Sequence, residues 1–242
     1  TQARDQINPH VAMIDWGLSK YRVDIDYFRV DVVDRRTAKP DMGNPIPYHP
    51  PLKSLTLFQE HLEATQDATI DTSFPDRNFN DWQVRSAPGG SMPGIAVSGT
   101  QPIILRWDLA TLKGRTVKGS GLLQVWPYSV QRSSDFNKDF GMVRICEILG
   151  GDPAWKESTV TFDAFTMGHP LDDVINSQMV IDDSVTWDRN GQMLFTISEP
   201  VLQRLIDGRT KGLAIKPLGA INAVLLSKES GRAPTLHLEF EN

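Results

Sequence analysis

The sequence predicts an all-β protein, an antiparallel β-sandwich of a jelly-roll-like kind with one short helix. Short runs in which apolar and polar residues alternate recur along the chain, and turn-forming residues interrupt them about every ten residues. The chain also has 16 prolines and 18 glycines, the residues that corners between strands require. The alternating runs cover residues 21–33, 103–109, 121–126, 142–148, 193–197, 213–216, 223–226 and 235–240.

The one predicted helix covers residues 199–207. Its apolar residues recur at helical spacing, Pro200 lies near its start, and Gly208 follows its end. A second helix over residues 54–63 is an open alternative, because Leu55, Phe58 and Leu62 would share one helical face.

The composition changes at residues 37–51, where five prolines in fifteen residues indicate a stiff, extended spacer. We therefore divide the chain into residues 1–36, a Pro-rich linker at 37–56 and a main sandwich domain at 57–242. The strands predicted within residues 1–36 are too few to bury a core of their own. This segment is expected to be either the last strands of an upstream sandwich domain or a segment that docks on, or donates a strand to, a partner.

Charge, cysteine content and hydropathy exclude several classes of protein. The net charge is -5, and lysine and arginine are scattered along the chain, which argues against a nucleic-acid-binding protein. Cys146 is the single cysteine, so no disulfide can form within the chain. No apolar stretch approaches the roughly 18 residues that a membrane helix needs. The chain does not open with a signal sequence, so any signal peptide is expected to have been removed.

Several short motifs follow one another from residue 65 onward. Residues 67–70 read DATI, 78–80 read NFN, 105–109 read LRWDL, 155–162 read WKESTVTF and 227–230 read SKES. In this order they resemble the DNRLRE-domain family, which overlaps carbohydrate-binding module family 96 of polysaccharide-degrading enzymes. The resemblance covers roughly three quarters of the chain and is most specific at 155–162, where the family has a Trp-x-Glu-x-x-Val-Thr-Trp run.

The chain departs from the family pattern in three places. Asn80 stands where the family commonly has glycine, Lys228 stands where arginine is usual, and residues 168–183 form a longer insertion. Near the start of the chain, residues 23–30 (VDIDYFRV) are similar to the closing strand of concanavalin-like sandwich domains. This second resemblance implies a sandwich domain upstream.

The resemblance implies a secreted, non-catalytic module that binds a polysaccharide and is appended to a carbohydrate-active enzyme. Strand parity adds candidate residues, because successive side chains of a strand face opposite sides of the sheet. Outward cations suit an anionic glycan such as alginate, since guanidinium groups bind carboxylates in a bidentate manner and aromatic rings stack on sugars. The candidate ligand-binding residues are Arg106, Trp126, Arg144, Lys216, Lys228, Trp82 and Tyr128.

A purely structural interpretation stands beside the functional one. Arg106 and Arg144 would then pair with Asp108 and Glu147 on a solvated sheet surface. Large aromatic residues dominate sandwich cores, and on that ground three aromatic residues are predicted to be core residues instead of sugar platforms. They are Trp107, Trp155 and Phe162.

Metal and catalytic motifs are weak. A structural calcium ion at one of the acidic pairs 24/26, 172/173 or 182/183 is an open alternative, but none of these pairs lies in a spaced calcium-binding loop. The five histidines are far apart in sequence and are expected to be isolated surface residues. No nucleophile elbow, phosphate loop or dinucleotide fingerprint occurs, so no catalytic residue is predicted.

Two rival functions remain open at the level of sequence. The chain is a structural subunit of an extracellular fibre or cell-surface layer if residues 1–36 insert into the sheet of another subunit. It is a polysaccharide lyase or glycoside hydrolase if a carboxylate or Tyr-Arg cleft acts on a glycan. An activity screen on polysaccharides separates the enzyme from the binding module.

Overall fold

Antiparallel strand pairing organises the part of the chain that the computed structural model describes, which comprises residues 54–80, 83–86, 90–132, 142–176, 181–183 and 191–241. These residues belong to one compact unit, Ser54–Asn242. The strands predicted within residues 1–36 and all but the last residues of the predicted linker lie outside the described residues.

Thirteen strands form within the described ranges, and every pair is antiparallel. They are β1 (Glu60–Glu63), β2 (Gln66–Thr69), β3 (Gln83–Ser86), β4 (Gly90–Ser98), β5 (Ile103–Arg106), β6 (Gly121–Val125), β7 (Pro127–Arg132), β8 (Met142–Ile148), β9 (Ile181–Asp183), β10 (Met193–Ile197), β11 (Gly212–Leu218), β12 (Ile221–Leu226) and β13 (Thr235–Leu238). The predicted antiparallel all-β sandwich is therefore confirmed.

The strands form three sheets. Sheet 1 has the order β1-β13-β6-β10, sheet 2 the order β2-β5-β11-β8-β9, and sheet 3 the order β3-β4-β12-β7. Strands that are adjacent in a sheet are mostly distant in sequence, as in a jelly roll. Sheets 1 and 3 are continuous at Trp126, the single residue between β6 and β7, whose carbonyl oxygen accepts a 2.8 Å hydrogen bond from the Leu226 N–H group.

Two apolar cores lie on the two faces of sheet 2. In β5, Ile103 and Leu105 point into a core that also takes side chains from sheets 1 and 3, whereas Ile104 points into a second core. The second core is closed by residues 149–176, which supply Trp155 and Phe165. Alternate side chains of a single strand thus pack into two different cores. The face of sheet 2 that meets the second core, its outer face, is covered over much of its area.

Three short α-helices complete the described part of the chain: α1 (Phe162–Thr166), α2 (Leu171–Val174) and α3 (Glu199–Ile206). Helix α3 is the predicted helix, with its four apolar residues buried. The other two were not predicted because each is about one turn long, too short for an apolar period to emerge. Among the described helices, none has the length and hydrophobicity needed to cross a bilayer.

The alternative helix over residues 54–63 is wrong. Leu55–Leu57 form a single 3-10 turn, Phe58 is extended, and β1 begins at Glu60. Pairing of β1 with β13 satisfies the backbone of this segment, so a long-range partner overrides the local pattern.

Candidate functional site

Arg106 ends β5 and points to the outer face of sheet 2, as its parity predicts. Its Nη1 donates a 2.7 Å hydrogen bond to the Pro153 carbonyl oxygen, and its guanidinium lies 5.5 Å from the centre of the Trp155 ring. Asp108 instead accepts a hydrogen bond from the Ala110 N–H group. Within the described part of the chain, Arg106 makes no ion pair, so the expected pairing with Asp108 is not formed.

A cleft of ≈ 630 Å³ opens beside Arg106, between the end of β5 and the turn after α3. This volume falls in the range typical of small-ligand sites. Three cationic and two anionic side chains line the cleft, whereas the whole chain has a negative net charge. We call it the Arg106 cleft; its charged lining residues are Arg106, Lys113, Lys211, Asp108 and Asp207.

The predicted core residues beneath the cleft are confirmed as core residues. Trp107 is buried and its Nε1 donates a 3.0 Å hydrogen bond to the Leu62 carbonyl oxygen. Trp155 is also buried, and Phe162 packs against the second core. Trp107 lines the cleft and Trp155 contacts Arg106, and none of the three rings is an exposed sugar platform.

Arg144 and Lys216 lie together, but apart from Arg106. They are direct partners on β8 and β11, and the Lys216 Nζ lies 3.4 Å from an Asp172 carboxylate oxygen. Arg106 aligns with Gly212, four residues before Lys216 on β11, which corresponds to about 13 Å along the strand. The buried second core lies between these positions, so the predicted cations do not form one continuous surface.

Glu147 does not pair with Arg144 as the structural interpretation expected. Its carboxylate accepts hydrogen bonds of 2.9 and 2.8 Å from the Arg204 guanidinium and one of 2.6 Å from the Thr210 hydroxyl. Positions 144 and 147 have opposite parity in β8 and so face opposite sides of sheet 2. This is why the two side chains do not meet.

The aromatic candidates lie elsewhere. Trp126 sits at the junction of sheets 1 and 3, half-buried, with the Arg232 guanidinium 5.0 Å from its ring centre. Tyr128 is half-buried on β7. Trp82 lies outside the described residues. Neither Trp126 nor Lys228 is among the residues that line the Arg106 cleft.

Lys228 lies in a cluster of carboxylates. Its Nζ is 2.7 Å from Glu157 Oε1 and 2.5 Å from Glu229 Oε1. Burial alone would lower the pKa of Lys228, but the hydrogen bonds to Glu157 and Glu229 outweigh it and raise that pKa above its ordinary value. Lys228 is therefore a counter-ion within the protein in this structure, and its predicted contact with a glycan stays a prediction.

Asp67 is the third carboxylate of this cluster and is only 3% exposed. Its Oδ2 accepts a 2.8 Å hydrogen bond from the Lys228 backbone N–H group, whereas its Oδ1 is buried with no hydrogen-bond partner among the described residues. Burial raises the pKa of Asp67 to about 7; the Lys228 N–H group opposes this shift, and the charges of Glu229 and Glu157 add to it.

Local hydrogen bonds hold the cluster in place. The Asn78 side-chain amide donates to the carbonyl oxygens of Glu157 (2.8 Å) and Val160 (2.6 Å). The Glu157 N–H group donates to Gln66 Oε1 at 2.9 Å, and the Ser227 hydroxyl donates to Glu229 Oε2 at 2.7 Å. The motifs DATI, NFN, WKESTVTF and SKES, which are far apart in sequence, thus meet at one place.

Sequence analysis missed a histidine pair on sheet 1. His61 and His237 are direct partners on β1 and β13, with their Nδ1 atoms 2.7 Å apart, and His237 Nε2 lies 3.0 Å from Gln124 Oε1. Burial, and then the charge of His61, lower the pKa of His237 to about 4. The expectation of isolated surface histidines is therefore wrong for this pair, because strand pairing joins residues 176 positions apart.

Of the acidic pairs weighed as calcium ligands, only 172/173 has described side chains, and it does not belong to the acidic group with metal-binding spacing among the described residues. Asp172 and Asp173 lie exposed in α2, and Asp172 faces Lys216. Residues 182 and 183 belong to β9, and the pair 24/26 lies outside the described residues. The group of acidic side chains with metal-binding spacing is a different one: Asp67, Glu157 and Glu229.

Comparison with known proteins adds no family assignment to the fold and the site. Neither the protein-family models nor the curated protein sequences contain a match to this chain.

Proposed function

We propose that this protein is a secreted, non-catalytic module that binds an anionic polysaccharide such as alginate and is appended to a carbohydrate-active enzyme. The Arg106 cleft is the proposed binding site. The observation that carries the proposal is the state of Arg106, a cation that is held in position by protein groups but has no carboxylate partner among the described residues.

The anchoring of Arg106 favours recognition of a carboxylate. One N–H group of the guanidinium binds the Pro153 carbonyl oxygen, and the Trp155 ring lies near it. Because the guanidinium has five N–H donors in a fixed plane, donors remain for a ligand carboxylate. An arginine that is already oriented loses less conformational freedom on binding than a free surface side chain.

The rest of the cleft fits a short stretch of an acidic glycan. Lys113 and Lys211 add positive charge near Arg106, and Gln66 and Thr65 add polar groups at the rim. The sandwich fold and the meeting of the motifs that resemble the DNRLRE-domain family support the same assignment. Arg144 and Lys216 remain candidates for a second, separate contact along a long polymer.

Affinity electrophoresis through gels that contain acidic or neutral polysaccharides tests the proposal. We expect acidic polymers to retard the wild-type protein and Arg106→Ala to weaken the apparent affinity about tenfold or more, since a hydrogen bond to a charged group contributes about 1.5–3 kcal/mol. Arg77→Ala is the matched control, because it removes an equal charge from an exposed side chain that does not line the cleft.

Arg144→Ala, run in the same gels, reports on the second predicted contact. Equal retardation of the wild-type protein and Arg106→Ala, or equal weakening by Arg106→Ala and Arg77→Ala, would contradict a site at Arg106. New reducing ends or unsaturated products in the same mixtures would contradict the non-catalytic part of the proposal.

A further inference from the structure

The carboxylates of Asp67, Glu157 and Glu229 have the spacing of ligands to one ion. Each offers an oxygen, and these oxygens all lie within 4.8 Å of one another. Ca²⁺ usually lies about 2.4 Å from each ligand oxygen, so two oxygens on opposite sides of the ion are about 4.8 Å apart. All three residues also line one cavity of ≈ 240 Å³.

The buried oxygen of Asp67 is a second and independent indication of a ligand. Asp67 lines the same cavity, its Oδ2 is fixed by the Lys228 N–H group, and its Oδ1 has no partner among the described residues. A buried carboxylate oxygen without a partner costs about 1–3 kcal/mol or more. A cation in the cavity would give this oxygen the partner that the protein does not.

The charges of the cluster are also unbalanced. Lys228 Nζ contacts Glu157 and Glu229 but is not bonded to Asp67. Burial and the neighbouring carboxylates raise the pKa of Asp67 when no cation is bound. With Asp67 ionised, the three carboxylates exceed the one ammonium group by two negative units, which one divalent cation neutralises. The Lys228 side chain is 26% exposed, so its flexible stem can turn its ammonium group towards solvent.

We propose that Asp67, Glu157 and Glu229 form a binding site for a divalent cation, for which Ca²⁺ has the fitting chemistry. All three ligands are hard oxygen donors, which favours Ca²⁺ or Mg²⁺ over zinc or copper. Ca²⁺ accepts irregular sets of mono- and bidentate carboxylates, whereas Mg²⁺ demands near-ideal octahedral geometry at shorter distances. The bound ion would tie β2 to the loop at residue 157 and to the turn at 228–230.

Calorimetric titration of the metal-free protein with CaCl₂, paired with Tm measured in CaCl₂ and in EDTA, tests this site. We expect saturable heat and a Tm that rises with Ca²⁺. Glu229→Gln should weaken Ca²⁺ binding about tenfold or more, because affinity follows the number of ligand charges. Glu229 is partly exposed, so this variant should fold; Asp67→Asn repeats the test at the buried ligand.

Two controls make the outcome specific. The double variant Asp172→Asn/Asp173→Asn removes an exposed acidic pair and should bind Ca²⁺ like the wild type. Lys228→Met should bind Ca²⁺ more tightly, since it removes the competing ammonium group. Absence of saturable heat with the wild-type protein, binding that appears only in Lys228→Met, or equal weakening in Glu229→Gln and the Asp172/Asp173 variant would overturn the proposal.

Discussion

At the scale of single residues, the buried carboxylate of Glu147 holds helix α3 against sheet 2. Its side chain is 5% exposed, and Arg204 and Thr210 satisfy both of its oxygens. Arg204 reaches it from α3, which joins this helix to the end of β8 beside the Arg106 cleft. The ion pair therefore positions the turn that forms one wall of the cleft.

Arg204→Ala should lower the free energy of unfolding by about 2 kcal/mol, because it leaves a buried carboxylate without its charged partner; the cost stays below that of a fully buried pair since Arg204 is 38% exposed. Urea denaturation of the variant measures the loss. Arg209→Ala, on the same turn but 73% exposed, should change stability by less than about 0.5 kcal/mol. Equal effects of the two variants would show that Glu147 does not need Arg204.

His237 makes the stability of the protein depend on pH. Its pKa is lowered to about 4 in the folded state, against about 6.5 when unfolded. Between these values His237 binds more protons in the unfolded chain, so the contribution of His237 to stability falls as the pH drops from about 6.5 towards 4 and levels off below. The groups that face His237 across the strands are His61 and Gln124, with the Phe58 ring nearby.

Lowering the pH from 7 to 5 should therefore cost the wild-type protein on the order of 1 kcal/mol more in urea denaturation than it costs His237→Gln. The raised pKa of Asp67 acts in the opposite direction in both proteins, so its contribution cancels in this difference. The exposed His169 supplies the control, because His169→Gln should keep the pH dependence of the wild type. An unchanged pH dependence in His237→Gln would mean that His237 is protonated alike in the folded and unfolded chain.

At the scale of elements, Gly212 fixes how closely β11 approaches β5. A Cβ atom at this position would overlap the Leu105 carbonyl oxygen. The residue must therefore be glycine for the two strands to pair beside the Arg106 cleft. Gly150 differs, since a Cβ there meets its nearest atom, the Asp173 carbonyl oxygen, at 3.4 Å.

Gly212→Ala should thus cost about 1–3 kcal/mol, in the range of other overpacked sites, whereas Gly150→Ala should be close to neutral. Thermal unfolding of both variants, followed by circular dichroism, measures the difference. Equal Tm values would show that β11 shifts freely away from β5.

Strands were predictable where one face is buried and the other is polar. The run at 193–197 coincides with β10, in which buried and half-buried residues alternate. The run at 142–148 coincides with β8 although side chains from both of its faces enter a core. Segment 54–63 misled the sequence analysis, since Leu55, Phe58 and Leu62 satisfy a helical spacing while β13 offers backbone partners that the local pattern does not reveal.

At the scale of the whole molecule, sheet 2 lies between two cores, and this sets which cations can share a surface. From strand parity, the sequence analysis placed Arg106, Arg144 and Lys216 on one face of the sheet. All three do point to the same face of sheet 2. Parity cannot show that residues 149–176 cover the middle of that face. The predicted surface is therefore divided into a cleft at Arg106 and a separate pair of cations near α2.

For a related reason, the cluster of Asp67, Glu157 and Glu229 could not be predicted from the sequence. Asp67 and Lys228 are 161 residues apart, and no local spacing rule links three carboxylates that come from a strand, a loop and a 3-10 turn. The sequence analysis instead considered acidic pairs whose members are close together in sequence. Only the topology of the sandwich brings the separated residues together.

Calorimetry with a single glycan in two chemical forms tests the central claim most directly. The protein is titrated with an alginate oligosaccharide and with the same oligosaccharide after its carboxyl groups have been reduced to alcohols. Binding at Arg106 predicts saturable heat with the acidic form and an affinity at least about tenfold weaker with the reduced form. Equal affinity for both forms, or no binding to either, would contradict the account.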